Sequence, residues 1–270
     1  MDDEFLAYLK SKIGERLIIS FDNTDLLLWG VRDSGIVKLL GLTLAIGIDN
    51  LEAGTTKLDQ MAIKINHLAN IALSLCENSK SAFFIILYSL SGGSVFRVTN
   101  PEDPLNLPHS AEIEENKMPM TIEGFFGTNL GSFGTAKPVN KSTSDWFHVW
   151  TRANLPTIYV KANIDGLVLT KGGKPTILLE TKRSFAETSN WQPYQADSRN
   201  YFLQDLFAKK AGLNFWTVYH KKGFQVIDSS ETALFIISEI CLDTPKWMSC
   251  SRFDITAAEV VKMLGKTCGE

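Results

Sequence analysis

The amino-acid sequence predicts an α/β protein in which amphipathic helices alternate with short buried strands. Apolar residues recur at steps of three and four across residues 57–77, which is the spacing of one face of a helix. Residues 82–90, AFFIILYSL, form a continuous apolar run of the length of a buried strand. Residues 163–184 contain two strand-like runs around a Gly-Gly turn, which is typical of a β-hairpin.

The first part of the chain predicts an α+β region that covers residues 1–100. Two strands follow the first helix around the turn Asp-Asn-Thr-Asp, and a Ser-Gly-Gly turn precedes the last strand. Substrate recognition and dimerisation both stay open as the role of this region. The expected elements are helix 3–13, strands 16–21 and 25–31, helix 57–77, and strands 82–90 and 95–99.

Residues 101–141 predict a loop-rich linker or flap, because they hold five of the nine prolines of the chain. Their glycine-rich run, residues 123–137, raises the question of a phosphate-binding loop. It lacks the pattern G-x-x-x-x-G-K-[ST], since Lys137 is followed by Pro138. A nucleotide-binding loop is therefore not expected here.

Residues 142–270 predict a second region in which helices and strands alternate. Thr256 and Glu259 have the spacing of a helix capping box, so a closing helix is expected there. Residues 232–240 fit either a strand or a helix. The other expected elements are a helix at 142–155, strands at 157–169 and 176–183, a helix at 192–212, and strands at 214–220 and 224–228.

Composition and charge narrow the classes of function. The formal net charge is −3, whereas proteins that bind nucleic acid non-specifically are usually basic. The four cysteines lie far apart and, with four scattered histidines, form no zinc-binding pattern. The acidic N-terminus is unlike a signal peptide, and the apolar run 36–48 is too short to span a membrane. We expect a soluble intracellular protein, cytoplasmic or nuclear, without membrane contact.

The hairpin of residues 163–184 carries charges that a buried strand normally lacks. Side chains alternate along a strand, so Glu180 and Lys182 share one face, and pairing across the turn brings Asp165 beside Glu180. Two neighbouring carboxylates repel each other unless something neutralises them. Mg²⁺ does so naturally, because it binds one or two carboxylates together with waters and substrate phosphate. The hairpin therefore predicts a site for a hard divalent cation.

At these residues the sequence resembles the PD-(D/E)xK nuclease superfamily. The motif here is Ile164-Asp165, fourteen intervening residues, and Glu180-Thr181-Lys182. The resemblance covers residues 142–228 and implies a restriction-endonuclease-like α-β-β-β-α-β core in the C-terminal half. It implies Mg²⁺-dependent hydrolysis of phosphodiester bonds, with Mn²⁺ able to substitute. DNA is the favoured substrate, RNA remains open, and endonuclease action is expected.

The resemblance also implies roles for individual residues. Asp165 and Glu180 would hold the metal, and Lys182 would assist the attacking water. Gln195, in the expected helix that follows, resembles the glutamine of the RecB-like branch. That branch often shows Q-x-x-x-Y, whereas this chain has Arg199 at the tyrosine position and Tyr201 two residues later.

Other charged residues near the motif in sequence are weaker candidates. Lys161, Arg183 and Arg199 would line a track for the phosphate backbone, although ordinary solvated side chains explain them equally well. Asp145 and Glu123 are candidates for a further metal-binding acid, and a helix cap or a surface position is the alternative for each.

Three other interpretations of the hairpin stay open. The fold could be a catalytically inactive module that binds nucleic acid or protein. The three charges could be an exposed hairpin end with an ordinary surface ion pair, which contributes little to stability. An effector or toxin acting on host nucleic acid would share the nuclease chemistry. Homodimerisation is left open as well.

Overall fold

The computed structural model describes residues 4–21, 24–34, 36–48, 56–89, 95–99, 111–128, 146–222, 232–241 and 246–269. Within these residues the fold is mixed α/β, with six α-helices and two six-stranded mixed sheets. The chain divides into two units: unit 1 comprises Met1–Asp22 and Ala162–Glu270, and unit 2 comprises Asn23–Lys161.

The helices and strands are numbered along the chain. They are α1 (Glu4–Ile13), β1 (Ile18–Ser20), β2 (Thr24–Asp33), β3 (Ile36–Ile48), α2 (Thr56–Ser79), β4 (Ala82–Ser89), β5 (Val95–Thr99), β6 (Ala111–Glu114), α3 (Met118–Phe126), α4 (Trp146–Asn154), β7 (Tyr159–Asn163), β8 (Gly166–Leu169), β9 (Pro175–Ser184), α5 (Ser198–Ala211), β10 (Asn214–Lys221), β11 (Thr232–Cys241), β12 (Lys246–Asp254) and α6 (Ala257–Gly269). Short 3₁₀ turns lie at Glu115–Lys117, Thr188–Asn190 and Gln195–Asp197.

The sheet of unit 2 has the strand order β6-β5-β4-β3-β2-β7. Strands β3 and β4 run parallel and are joined by α2, the helix predicted at residues 57–77. The apolar run 36–48 is strand β3, and no helix among the described residues is both long and apolar enough to cross a membrane. Much of the core is aromatic, and it includes Trp29, Phe84, Tyr88, Phe96, Phe147 and Trp150.

The sheet of unit 1 has the strand order β1-β8-β9-β10-β11-β12. The predicted hairpin forms as antiparallel β8 and β9, and Gly173 in its turn has a φ of 81°, a conformation that glycine adopts without steric cost. Helix α5 then carries the chain back so that β10 runs parallel to β9. Residues 232–240, ambiguous in sequence, lie in strand β11 because they pair with β10 and β12.

Helices cover both faces of the unit 1 sheet. On one face, alternate residues of the strands, among them Leu179 and Val218, pack against α1 and α6 in an apolar core. On the opposite face, helix α5 contacts the residues that lie between these, Glu180 and Lys182. One face is therefore packed as an apolar layer, whereas the other carries charge beneath a helix.

The units have different boundaries from the regions predicted at 1–100, 101–141 and 142–270. Strand β1 pairs with β8 through Ile18 and Val168, which places the N-terminal helix and strand with the C-terminal part of the chain. Helix α4, expected in the C-terminal region, lies in unit 2. The partner of a strand depends on tertiary packing, and the sequence of residues 18–20 does not indicate that β1 pairs with β8.

Other expectations have mixed outcomes. The capping box is confirmed, since Thr256 N donates to Glu259 Oε2 at 2.7 Å and Glu259 N donates to Thr256 Oγ1 at 3.2 Å. The helix expected from residue 192 begins only at Ser198. Part of the predicted linker is ordered as β6 and α3. The turn at 22–25, most of the glycine-rich run, the strand at 224–228 and Asp145 lie wholly or partly outside the described residues.

Candidate functional site

Strand β9 carries Glu180 and Lys182 on the same face of the unit 1 sheet, as its alternation predicts. Lys182 Nζ lies 2.7 Å from Glu180 Oε1, and the two side chains are 24% and 8% exposed. The register with β10 is continuous from Ile177 to Ser184, so no bulge disturbs the alternation. The result is a nearly buried ion pair that follows three fully buried apolar residues of the strand.

Helix α5 completes this pair from above. Gln204, which is fully buried, donates through Nε2 to Glu180 Oε2 at 2.6 Å and to the backbone oxygen of Asn163 at 2.7 Å. The ring of Tyr201 lies 5.3 Å from Lys182 Nζ, close enough for a cation–π contact. Asp197 Oδ2 lies 3.7 Å from the same nitrogen. Both oxygens of Glu180 therefore have donors, and Lys182 has two anionic neighbours.

Asp165 lies directly before Gly166, the first residue of β8. Its Oδ2 accepts hydrogen bonds from Thr181 N at 2.7 Å and Thr181 Oγ1 at 3.1 Å. Thr181 lies between Glu180 and Lys182 and directs its side chain to the other face of the sheet. Asp165 therefore anchors β9 at Thr181, the residue between Glu180 and Lys182. The negative charge of Asp165 also raises the pKa of Lys182.

The charges of the cluster keep Lys182 protonated. Burial lowers the pKa of Lys182, but Glu180, Tyr201 and Asp165 together raise it by more, so it lies above its ordinary value. Burial also raises the pKa of Tyr201, against the opposing charge of Lys182. At neutral pH the site therefore presents a fixed ammonium and a neutral phenol, and Lys182 is unsuited to remove a proton.

The carboxylate oxygens of Asp165 and Glu180 are ligands of the type that a hard cation binds. Asp165 and Glu180 offer carboxylate oxygens, each of which accepts more than one contact. Mg²⁺ takes one or two such carboxylates and fills its remaining positions with water. Among the residues that the structure describes, no group of three or more His, Cys, Asp or Glu side chains is placed to hold a metal ion. A metal here would depend on these two carboxylates, solvent and substrate.

The structure places the remaining candidates of unit 1 outside this cluster. Gln195 is exposed in a 3₁₀ turn, and the glutamine that contacts Glu180 is Gln204, nine positions later. Arg183 and Arg199 are exposed. Gln195 was expected on a helix face, but the chain there makes a tight turn that ends before α5 begins.

Two candidates belong to unit 2. Lys161 Nζ lies 3.2 Å from His148 Nδ1 and donates to Thr151 Oγ1 at 2.5 Å, which links β7 to α4. Glu123 lies in α3.

Sequence reasoning missed Gln204 and Asp197, and it considered Tyr201 for its displacement from the pattern Q-x-x-x-Y. Tyr201 and Gln204 are three residues apart and therefore share a face of α5. A glutamine flanked by Leu203 and close to Phe207, both buried, is the signal that could have identified it. Its partner on β9 could not be found from sequence, because that depends on how the helix is rotated against the sheet.

No protein-family model matches the chain, and no curated protein matches it in sequence. Among solved structures, the chain is similar to the crystal structure of a sex pheromone staph-cAM373 precursor. The two are 12% identical, with 94% of this chain and 82% of that chain covered, and the TM-score is 0.22. A score at this level carries no argument about fold or function.

Proposed function

We propose that unit 1 is a Mg²⁺-dependent nuclease that hydrolyses phosphodiester bonds of DNA or RNA. The observation that carries the proposal is the Glu180–Lys182 pair, nearly buried and bridged to α5 by Gln204. An ordinary surface ion pair on a strand end would be solvated and would have no buried amide directed at it. A carboxylate able to hold a metal ion and an ammonium able to stabilise developing negative charge, both in fixed positions, suit phosphoryl chemistry.

The order of elements supports the same proposal. Along unit 1 the chain forms α1, β1, β8, β9, α5 and β10, which is the α-β-β-β-α-β order that the resemblance to PD-(D/E)xK nucleases implies. The four strands are adjacent in the sheet, with an antiparallel hairpin followed by a parallel return through a helix. Unit 2 then corresponds to an insertion between the first and second strands of such a core.

In this proposal each residue has a separate role. Asp165 and Glu180 would hold Mg²⁺, which when bound would polarise a phosphate oxygen and acidify a water. Lys182 stabilises the negative charge that develops on the phosphate, because its raised pKa keeps it protonated. Gln204 fixes Glu180 in one orientation through Oε2.

The test is incubation of the protein with labelled single- and double-stranded DNA and RNA, with and without Mg²⁺. We expect Mg²⁺-dependent cleavage that Glu180→Gln reduces by about two orders of magnitude or more, the scale of a lost electrostatic or acid–base group. Glu259→Gln on α6 is the control, because this carboxylate is exposed and closes the first turn of the helix. Absence of cleavage of all four substrates, or equal loss in both variants, would overturn the proposal.

A second candidate function is a non-catalytic binding module that retains the same fold. The hydrogen bonds from Thr181 to Asp165 favour it, since they give this acid a structural role in the hairpin. Calorimetric titration with Mn²⁺ separates the two candidates. A nuclease loses Mn²⁺ binding in Asp165→Asn while remaining folded, whereas the module shows no binding in either form.

A further inference from the structure

Residues 191–197 form a segment that is attached to the candidate site at both ends. At one end, the ring of Trp191 stacks on Tyr219 with centroids 4.3 Å apart and planes within 8°. Tyr219 is the β10 partner of Lys182 in the sheet register. At the other end, Asp197 Oδ2 lies 3.7 Å from Lys182 Nζ. The middle of the segment is therefore held close to the charged cluster.

Tyr194 occupies that middle position and points its ring outward. The side chain is one of the large hydrophobics left exposed, with 51% of its surface accessible. Its ring meets Trp191 edge-on, with centroids 6.3 Å apart and an angle of 85°. Asp197 N donates to the backbone oxygen of Tyr194 at 2.9 Å, so a single 3₁₀ turn, about 6 Å of rise, separates the backbone of Tyr194 from that of Asp197, which faces Lys182.

One guanidinium group lies close to this ring in sequence. Arg199 follows Asp197 in the first turn of α5, whereas Arg183, next to Lys182 on β9, directs its side chain to the opposite face of the sheet. Arg199 is exposed, and within the described part of the chain it makes no ion pair and no side-chain hydrogen bond. The site therefore combines an exposed aromatic face with positive charge that no carboxylate among the described residues neutralises.

We propose that Tyr194 is a base-stacking residue and that the ligand of this site is single-stranded nucleic acid. This inference rests on the proposed nuclease function and names its substrate class. A base stacks on the exposed ring of Tyr194, while the backbone phosphates lie along Arg199 and Lys182. Bases in a duplex have both faces covered by neighbouring bases, so an unpaired strand fits this ring and a duplex does not.

The test measures binding without cleavage. An oligonucleotide that carries one 2-aminopurine is titrated in EDTA with the parent protein and with Tyr194→Ala, Tyr194→Phe and Phe253→Ala. Phe253 is the matched control, because its ring is 46% exposed in the same unit. Phe253 pairs with Leu234, and Leu234 pairs with Val218, so Phe253 lies on the sheet face opposite to that of Lys182. Circular dichroism melts confirm that each variant is folded.

We expect the parent to quench 2-aminopurine fluorescence and to bind the single strand at least ten-fold more tightly than the matched duplex. Tyr194→Ala should weaken single-strand binding by roughly ten-fold or more, the effect of losing one stacked base. Tyr194→Phe and Phe253→Ala should bind as the parent does. Equal affinity in Tyr194→Ala, preference for the duplex, or absence of binding would overturn the inference.

The two proposals fail in different ways. Because EDTA removes divalent cations, binding through Tyr194 is measured whether or not the protein cleaves. A protein that binds single strands through Tyr194 but never cleaves with Mg²⁺ overturns the nuclease and keeps the stacking site. A protein that cleaves equally well with Tyr194→Ala and prefers duplex overturns the stacking site and keeps the nuclease.

Discussion

Glu180 is the residue on which the candidate site depends most. Its side chain is 8% exposed, and its two oxygens accept from different elements, Lys182 on β9 and Gln204 on α5. A buried carboxylate is costly unless it is paired and hydrogen-bonded, so each donor offsets part of the desolvation. Removal of either donor leaves one oxygen of the buried Glu180 carboxylate without that partner. The contribution of each contact can therefore be measured by substitution of its donor.

The first prediction concerns Gln204. Gln204→Leu keeps the apolar contacts of α5 but leaves Glu180 Oε2 and the Asn163 oxygen without this donor. We expect the free energy of unfolding to fall by about 1–3 kcal/mol, the effect of an unsatisfied buried acceptor. Urea denaturation measures it. The exposed Gln192 provides the control, since Gln192→Leu should change stability by less than about 0.5 kcal/mol. Equal effects in the two variants would contradict the role given to Gln204.

The second prediction separates charge from metal binding at Lys182. Lys182→Ala should leave Mn²⁺ affinity within a few-fold of the parent, because an ammonium is not a metal ligand. The single-turnover cleavage rate should fall by about two orders of magnitude or more. Glu180→Ala should instead weaken Mn²⁺ binding itself. Calorimetry beside single-turnover kinetics makes the comparison, and a parental rate in Lys182→Ala would show that the motif is coincidental.

The same lysine has a defined effect on stability at high pH. The pKa of Lys182 is raised in the folded protein, so its ion pair contributes fully below the unfolded pKa of about 10.4. That contribution is lost only as the pH rises through the still higher folded pKa. Between pH 7 and pH 9 the pair therefore adds no pH dependence to stability.

At the scale of elements, α6 shows how one end of a helix is secured. Its buried face packs on the apolar side of the unit 1 sheet, and its first turn is closed by the reciprocal hydrogen bonds of Thr256 and Glu259. The backbone and side-chain hydrogen bonds from Thr256 lower the pKa of Glu259. The stabilisation from this carboxylate is present above its unfolded pKa of 4.5 and is lost as the pH falls through the lower folded value.

The third prediction follows from this cap. Thr256→Ala should lower the free energy of unfolding by about 1 kcal/mol at neutral pH, as N-cap replacements do. The difference from the parent should shrink as the pH falls through the folded pKa of Glu259, which lies below its unfolded value of 4.5. Urea midpoints across a pH series measure it. Thr267→Ala is the control, because this hydroxyl donates to Met263 O at an exposed position on the same helix. A pH-independent difference would contradict the reciprocal cap.

The fourth prediction concerns the contact between β3 and β4 in unit 2. A side chain at Gly41 would strike the backbone carbonyl of Ala82, its partner across the parallel pair. Gly41→Ala should therefore destabilise the protein by about 1–3 kcal/mol, as overpacking does. Gly124→Ala is the matched control, because Gly124 lies within α3 with open space around it and should gain about 0.5–1 kcal/mol. Thermal melting distinguishes the two, and a tolerated Gly41→Ala would contradict the close approach.

At the scale of the whole molecule, the sheet of unit 1 is assembled from two distant parts of the chain. Strand β1 pairs with β8 through Ser20 and Gly166, and Phe21 N donates to Asp165 O at 3.4 Å. The chain therefore leaves unit 1 after residue 21 and re-enters it beside the same strand end. A short linker suffices to join these two points directly.

The fifth prediction uses this geometry. A variant in which six Gly/Ser residues, which span at most about 20 Å, replace residues 23–161 should fold with a cooperative melt. A chain limited to residues 142–270 should not, because it lacks α1 and β1, which supply Phe5, Leu9 and Ile18 to the apolar core. Circular dichroism and thermal melting measure both. A folded 142–270 chain beside an unfolded six-residue variant would contradict the boundaries of unit 1.

Local signals in the sequence predict much of this molecule. The periodicity of residues 57–77 predicts α2, and the alternation along β9 predicts that Glu180 and Lys182 share a face. The spacing of Thr256 and Glu259 predicts the cap of α6. Each of these features is decided within a few residues of the chain, by repeat or by hydrogen bonds between near neighbours.

Features that depend on distant partners are not predictable in this way. The pairing of β1 with β8 depends on residues on either side of unit 2, so the domain boundaries did not follow from composition. The contact from Gln204 depends on how α5 packs on the sheet, and the 3₁₀ turn at Gln195 displaced the glutamine that sequence reasoning favoured. Tertiary packing decides these positions, and no local pattern carries that information.

The separation of β1 from β8 has a consequence for synthesis of the protein on the ribosome. Helix α1 and strand β1 emerge before unit 2, but their partner strand is made about 140 residues later, which takes roughly 7–30 s at ordinary elongation rates. During that interval the apolar residues Phe5, Leu9 and Ile18, which belong to the core of unit 1, have no sheet to pack against. Unit 2 is completed before β8 is made and can fold in that interval, so α1 and β1 reach their final place later than the residues of unit 2 that follow them in the chain.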